Sequence, residues 1–173
     1  PEGHEKPEVT AHGTTITTTN TSGGVSAQGT GTSYASPVSC GTAALLAEAD
    51  PVLLAAPEAI KALLMAGAWN DIAQGQPLSD WDGAGGIDAA ASQSAVARGQ
   101  YRRTTLTAAS FSAGTYTESI ALDAGGETRL CAVWTASADS AYTATVLQMD
   151  LDLVVRAPNG AVVASSASTR NPF

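Results

Sequence analysis

Gly29-Thr30-Gly31-Thr32-Ser33-Tyr34-Ala35-Ser36-Pro37 joins a glycine-rich loop to the start of an apolar run. Apolar or small residues recur beyond this junction at spacings of three and four, at Ala35, Val38, Thr42, Leu45 and Ala49. This spacing predicts a helix, and because its opposite side is also small or apolar, we expect the helix to be buried. Ser33 then lies at the helix N-terminus, where unpaired N–H groups and the helix dipole favour negative charge.

Ser33 is the candidate nucleophile of the chain. A serine hydroxyl is a weak nucleophile unless a base takes its proton, so a catalytic site must also supply that base and donors for a developing oxyanion. In the alternative interpretation, Ser33 or Thr32 is simply the N-cap of the helix. Capping requires neither Ala35 nor Pro37, which favours the catalytic interpretation.

Residues 31–37 resemble the serine motif of the subtilisin-like serine proteases, G-T-S-x-A-x-P, and match all five of its fixed positions. The G-x-S-x-G elbow of the α/β-hydrolases does not fit, because Ala35 stands where its second glycine should be. The resemblance implies that Ser33 attacks a peptide carbonyl and that its own backbone N–H is one oxyanion donor. The resemblance also implies an asparagine as the further donor, upstream of this chain.

Two more segments carry the same resemblance. Residues 6–16 are similar to the family segment K-P-D-x-x-A-P-G-x-x-I, with Glu8 in place of the aspartate and His12 in place of the second proline. Residues 83–89 are similar to the closing segment G-x-G-x-(V/L/I)-(N/D)-A. His12-Gly13-Thr14 has the letters of the family's histidine motif, but it occupies this structural segment, so we do not expect His12 to be the catalytic base.

The resemblance places the triad aspartate and histidine before the serine. The sequence contains no D-(S/T)-G segment and no second H-G-T. We therefore expect one triad member of three here, with the missing N-terminal part of the catalytic domain as a partner. We predict that the chain alone does not hydrolyse peptides. A self-contained Ser33/His12 hydrolase would require the two side chains to lie within about 3 Å.

The composition changes near Gly99. Alternating residues predict strands, and a turn at 158–160 predicts a hairpin. The predicted strands are 119–122, 128–135 and 150–156, and the predicted hairpin joins 151–155 to 161–164. Residues 130–135 and 150–160 resemble the L-V-W-T and D-L-D-L-x-V-x-x-P-x-G segments of the P-domain-like β-sandwich that follows the catalytic domain in some subtilisin-like proteases.

The predicted fold class is α/β with two domains. Residues 1–98 are the C-terminal part of a subtilisin-like catalytic domain, with the nucleophile helix and the following helix. Residues 99–173 are a mostly antiparallel, jelly-roll-like β-sandwich, truncated at its C-terminus. The predicted function is that of a serine endopeptidase acting on polypeptides. The alternative is a non-catalytic binding or structural module built on the sandwich.

Charge and composition limit the partners. The net charge of −8 and a pI near 4.5 argue against nucleic acid. The sequence contains no run of 18 apolar residues, so it predicts no membrane-spanning segment. The resemblance implies an extracellular, secreted protein.

Cofactors and metals give weaker signals. The predicted chemistry requires no cofactor, although structural calcium is possible. Asp150 and Asp152 point to one face of a predicted strand, so they could bind calcium or form a solvated face. Asp80, Asp82 and Gly83 superficially resemble a calcium loop, but the further oxygen ligands of an EF-hand are not at their spacings. A solvated acidic turn is therefore the favoured interpretation. Cys40 and Cys131 lie on separate segments and predict two small buried thiols rather than a disulfide.

Overall fold

The computed structural model describes residues 7–69, 79, 81–122, 126–135, 137–138, 141, 145–146 and 151–167. Its helices are α1 (Thr32–Ala49), α2 (Pro57–Gly67) and α3 (Ala89–Ala97), with 3-10 turns at Pro51–Ala55 and Ala108–Ser110. Its strands are β1 (Ile16–Thr19), β2 (Val25–Gly29), β3 (Ser137–Ala138), β4 (Thr145–Val146), β5 (Leu153–Arg156) and β6 (Val162–Ser166). The described residues therefore form an α/β structure with small antiparallel sheets.

Helix α1 has the predicted position but not the predicted burial. It ends at Ala49, where Asp50 is the C-cap, as the Asp50-Pro51 sequence predicts. It packs against the 3-10 turn at 51–55 and against α2 and α3, which cover one side of it. The side chains of Val38 and Leu45 are 43% and 53% exposed. Within the described part of the chain, the prediction that α1 is buried on all sides is thus wrong, because α2, α3 and the 3-10 turn pack against only one face of it.

Helix α2 forms as predicted for the helix that follows the nucleophile helix, and the Ala-rich residues 89–97, whose composition favours a short helix, form α3. Pro57 begins α2, and Gly67 both ends it and allows a close approach to α3. A Cβ atom at Gly67 would lie 2.5 Å from Ser92 Oγ and 2.9 Å from Ser92 N, so no side chain fits there. Asp88 caps α3 by accepting a hydrogen bond from the Ala91 N–H.

The hydrophobic core lies between the three helices and the 3-10 turn that follows α1. Its buried members are Leu46, Leu53, Ala56, Ala59, Leu63, Leu64 and Val96. A smaller cluster of Met65, Ala68 and Ala84 lies beside it. Val9 packs against both clusters, so the N-terminal segment is fixed to the helical core.

Strands β1 and β2 form an antiparallel hairpin directly before α1. The sequence predicts an extended segment at β1 but a connecting loop over 21–32, and this second prediction is wrong for β2. The side chain of Asn20 explains the difference, since its Oδ1 accepts hydrogen bonds from the N–H groups of Ser22 and Gly24. These bonds shape a turn that returns the chain alongside β1.

The two outer segments of family resemblance are hydrogen-bonded to each other. The Thr10 N–H donates to Gly85 O at 2.9 Å, and the Ile87 N–H donates to Thr10 O at 2.8 Å. Trp69 and Gly86 exchange two further backbone hydrogen bonds. The segment at 83–87 therefore lies between the N-terminal segment and the end of α2.

Tyr101 and the segment at 129–133 contact the helical part of the chain. Tyr101 Oη donates to Asp50 Oδ2 at 2.5 Å, and Arg129 donates to the carbonyl oxygen of Ala68. Cys131 and Val133 pack against the smaller apolar cluster. The strands predicted at 119–122 and 128–135 are not formed. In the second of these segments, the alternating side chains of 129–133 contact the helical part instead of building a paired strand.

The hairpin predicted near the C-terminus is confirmed. Strands β5 and β6 pair antiparallel, with the turn at 158–160 between them. The first of these strands begins at Leu153, later than predicted. Among the described residues after Gly99, the paired strands form only separate two-stranded sheets, β3 with β4 and β5 with β6. They do not show the predicted jelly-roll-like sandwich.

Candidate functional site

Ser33 lies in the first turn of α1 with an exposed side chain. The N-cap is Gly31, and no side-chain hydrogen bond caps the helix. The capping interpretation of Ser33 and Thr32 is therefore wrong. The hydroxyl of Ser33 faces solvent at a helix terminus, which is where a nucleophile must be to meet a substrate.

The backbone around Ser33 offers donors for an anion. The first N–H groups of a helix have no acceptor within the helix, and Ser33 is the second residue of α1. The N–H of Tyr34 is already used, because it donates to Gly31 O at 3.1 Å. Four residues beyond Ser33, Pro37 has no N–H to donate to the Ser33 carbonyl. The first turn is thus less regular than the rest of the helix.

His12 is exposed and lies on a segment that contacts the serine loop. Its neighbour Gly13 accepts a hydrogen bond from the Gly31 N–H at 2.8 Å. Nevertheless, within the described part of the chain no hydrogen bond joins His12 to Ser33. The structure therefore shows no assembled nucleophile and base.

Two hydrogen bonds between described residues tie the loop that carries Ser33 to residues 13–15, and neither is among the features predicted from the sequence. One is the bond between Gly31 and Gly13; the other joins the Thr15 N–H to Thr30 Oγ1 at 3.0 Å. Segment 6–16 could have signalled them, because it also resembles the family, although Glu8 and His12 depart from the family pattern. Residue spacing alone could not have shown that the two segments touch.

Only one of the two candidate calcium ligands lies among the described residues. No group of three or more His, Cys, Asp or Glu residues that could hold a metal occurs within the described ranges. Asp152 is exposed, and Asp150 lies outside the described residues.

The acidic turn at Asp82 is not solvated, so that prediction is wrong for this residue. Only 3% of Asp82 is exposed, and its carboxylate accepts a hydrogen bond from the Ser79 hydroxyl. Ser79 Oγ in turn accepts from the N–H groups of Trp81 and Asp82, which fixes the turn. Asp80 lies outside the described residues. The observed role of Asp82 is structural.

The two cysteines differ in environment. Cys40 is exposed on α1, seven residues after Ser33, so its predicted burial is wrong. Cys131 is partly buried beside Met65, and this burial raises the pKa of its thiol to about 11. An unreactive Cys131 and an accessible Cys40 follow from these positions.

Comparison with known proteins agrees with the arrangement of these segments. A family model described as "Subtilase family" matches residues 2–115, which include the N-terminal segment, the serine loop, all three helices and the segment at 83–89. A comparison with curated proteins gave no match, and neither did one with solved structures. Within the described residues, no helix is both long enough and apolar enough to cross a membrane. On the family match, the chain belongs to the Subtilase family, a family of serine-protease-type hydrolases.

Proposed function

We propose that this chain supplies the nucleophile of a serine endopeptidase and that Ser33 is that nucleophile. The observation that carries the proposal is the exposed, uncapped position of Ser33 in the first turn of α1. Three further facts support it: the match to G-T-S-x-A-x-P, the family membership and the contact of the serine loop with a second family segment.

The proposed chemistry is acyl transfer. Ser33 Oγ attacks the carbonyl carbon of a peptide bond while a histidine accepts its proton. The carbonyl oxygen becomes an oxyanion, which the N–H of Ser33 stabilises together with an asparagine. The amine then leaves with the proton from the histidine, and water hydrolyses the acyl-enzyme. Polypeptides are the proposed substrates.

The aspartate, the histidine and the asparagine are proposed to come from a catalytic segment outside these 173 residues. The sequence itself supports this, because it contains neither D-(S/T)-G nor a second H-G-T. The exposed apolar side of α1, with Val38 and Leu45, gives physical support, since burying such side chains is favourable. The same segment would cover this side and deliver the base to Ser33.

A fluorophosphonate probe tests the proposal, because it reacts with an activated serine. We expect efficient labelling of Ser33 in the full-length protein and none in a Ser33→Ala variant of it. The isolated 173-residue chain should not be labelled measurably, since loss of the histidine alone costs about 10⁶-fold in turnover in subtilisin. Efficient labelling of the isolated chain would show that the base is already present. In that case His12→Gln would identify whether His12 provides it.

Residues 99–173 are proposed to belong to a P-domain-like β-sandwich, of which β5 and β6 are one hairpin. The support is the match to D-L-D-L-x-V-x-x-P-x-G and the alternation in β5, where Leu153 and Val155 are partly buried and Val154 and Arg156 exposed. Calcium binding by Asp150 and Asp152 belongs to the same proposal. Titration with calcium, followed by the melting temperature, tests it: a rise that Asp152→Asn abolishes is expected.

Secretion is proposed from family membership, and the acidic composition is compatible with it. Fractionation of the producing cells tests this proposal. We expect the full-length protein in the medium, and its retention inside the cells would refute secretion. The test is independent of activity, because it follows the protein itself.

A further inference from the structure

The loop before Ser33 is held from outside by one short segment. Gly31, two residues before the serine, donates its N–H to Gly13 O at 2.8 Å. The side-chain oxygen of Thr30, one residue earlier, accepts a hydrogen bond from the Thr15 N–H at 3.0 Å. Two consecutive loop residues are thus tied to residues 13–15, a segment that lies outside the serine motif.

The contact at Gly13 is steric as well as polar. A Cβ atom at Gly13 would lie 2.7 Å from Gly31 O, 3.1 Å from Ala35 Cβ and 3.4 Å from Ala35 N. The nearest of these is a backbone atom, so it cannot rotate away as the end of a side chain can. The φ of Gly13 is not in the left-handed region, which leaves close approach as the reason for a glycine there. A larger residue would push the loop and the first turn of α1 away from this segment.

The contact at Thr30 holds a strained residue. Thr15 has a φ of 53°, in the left-handed region that a β-branched residue rarely occupies. Such a conformation persists only where the surroundings fix it, and it is found most often near functional sites. The bond from the Thr15 N–H to Thr30 Oγ1 is one such constraint. Strain and loop position are therefore coupled at the junction of β2 with α1.

We propose that Gly13 and Thr30 are positioning residues that fix the orientation of Ser33 for attack. The proposal rests on Ser33 being the nucleophile. Neither residue touches the reacting atoms. Gly13 acts through its contacts with Gly31 and Ala35, and Thr30 acts through its bond to Thr15. Both contacts set the placement of the loop and thereby the direction of the Ser33 side chain and N–H. Reaction rates depend steeply on this placement, and an error of about 1 Å can cost about 100-fold.

The test compares variants of the full-length protein by the rate of fluorophosphonate labelling and by the melting temperature. We expect Gly13→Ala to slow labelling by about 100-fold through displacement of the loop. We expect Thr30→Val to slow it by about five- to tenfold, as loss of one hydrogen bond implies. Thr30→Ser keeps the hydroxyl acceptor and should restore the rate. These losses should fall on kcat for a peptide substrate and leave KM nearly unchanged.

Gly24→Ala is the matched control. Gly24 lies in the turn between β1 and β2, and its φ is not in the left-handed region. A Cβ atom there would meet only the Asn20 side-chain atoms, at 3.6 and 3.7 Å. The Gly24→Ala variant should label as fast as the unmodified protein. Amide hydrogen exchange gives a readout that needs no activity: Thr30→Val should speed exchange at Thr15 N–H, and Gly13→Ala should do so at Gly31 N–H.

The outcomes separate the two proposals. If Ser33→Ala abolishes labelling but Thr30→Val labels at the unmodified rate, the positioning role is overturned and the proposed function stands. Continued labelling of Ser33→Ala refutes the nucleophile itself, and the positioning role with it. If Gly13→Ala fails to fold, the Thr30→Val and Thr30→Ser pair decides, and equal rates for that pair would refute the role.

Discussion

The different environments of the two cysteines, which are free in the structure, can be tested by their reactivity. Burial raises the Cys131 pKa to about 11, so about one thiol in a thousand is ionised at pH 8. A cysteine with the ordinary pKa of about 8.5 is about one quarter ionised at that pH, so the thiolate fraction of Cys131 is about 200-fold smaller than that of such a thiol. The restricted access of Cys131 slows its reaction further. Cys40 is exposed, so access does not limit its reaction.

The measurement is alkylation by iodoacetamide, followed by mass spectrometry of the peptides that contain each cysteine. In the isolated chain, Cys40 should be modified rapidly and Cys131 only slowly. In urea both should react at similar rates, which controls for differences between the peptides. Equal rates for the two cysteines in the folded chain would contradict the burial of Cys131.

The same reaction tests whether a further catalytic segment covers α1. In the full-length protein, that segment would lie over the side of the helix that carries Val38 and Leu45. We therefore expect a thiol introduced there by Leu45→Cys, in a Cys40→Ser background, to react at least about tenfold more slowly than in the isolated chain. An unchanged rate would show that this side stays open to solvent. It would then remove the physical support for the proposal that the base arrives with a segment covering the helix.

Three further predictions concern stability. Leu53→Ala should lower the free energy of unfolding by about 2–5 kcal/mol, because Leu53 is fully buried; the adjacent Leu54→Ala is the control, since Leu54 is 76% exposed, and a denaturant titration compares them. Asn20→Ala should open the β1–β2 turn, seen as faster amide exchange at Ser22 and Gly24, whereas Asn20→Asp keeps the acceptor oxygen and should preserve protection. Tyr101→Phe should lower the melting temperature most between about pH 5 and 9. The hydrogen bond from Tyr101 lowers the pKa of Asp50 below its ordinary 3.8 and raises the pKa of Tyr101 above its ordinary 10.0. The stabilisation is therefore lost as pH falls through the lowered pKa of Asp50 or rises through the raised pKa of Tyr101. A constant difference between the melting temperatures of wild type and Tyr101→Phe from pH 3 to 11 would contradict this last prediction.

Local rules predicted those parts of the fold that short-range interactions determine. Helix α2 begins at Pro57 and ends at Gly67, because proline suits a first turn and glycine a last one. The hairpin of β5 and β6 follows from the turn at 158–160. In each case the residues that define the element lie within it or beside it, so the sequence pattern contains the information.

The same rules failed where distant residues decide the structure. The alternation at 129–133 is real, but its inward side chains meet Met65 and Ala68 rather than a neighbouring strand. Period-two alternation reports that one face is buried and does not say against what. The predicted burial of α1 fails for a related reason. An apolar helix surface indicates that other residues must pack against it, but it does not show that those residues lie within this chain.

The candidate site shows both limits at once. The motif at 31–37 places Ser33 at a helix start by local geometry alone, and the structure confirms that position. What orients the serine is non-local: Gly13 lies 18 positions before Gly31, yet its carbonyl and its missing side chain set how near the loop can come. A glycine with ordinary φ carries no local signal that a turn or a helix end would give. The residue type becomes understandable only when its neighbour in space is known, and the comparison of Gly13→Ala with Gly24→Ala isolates that spatial contribution.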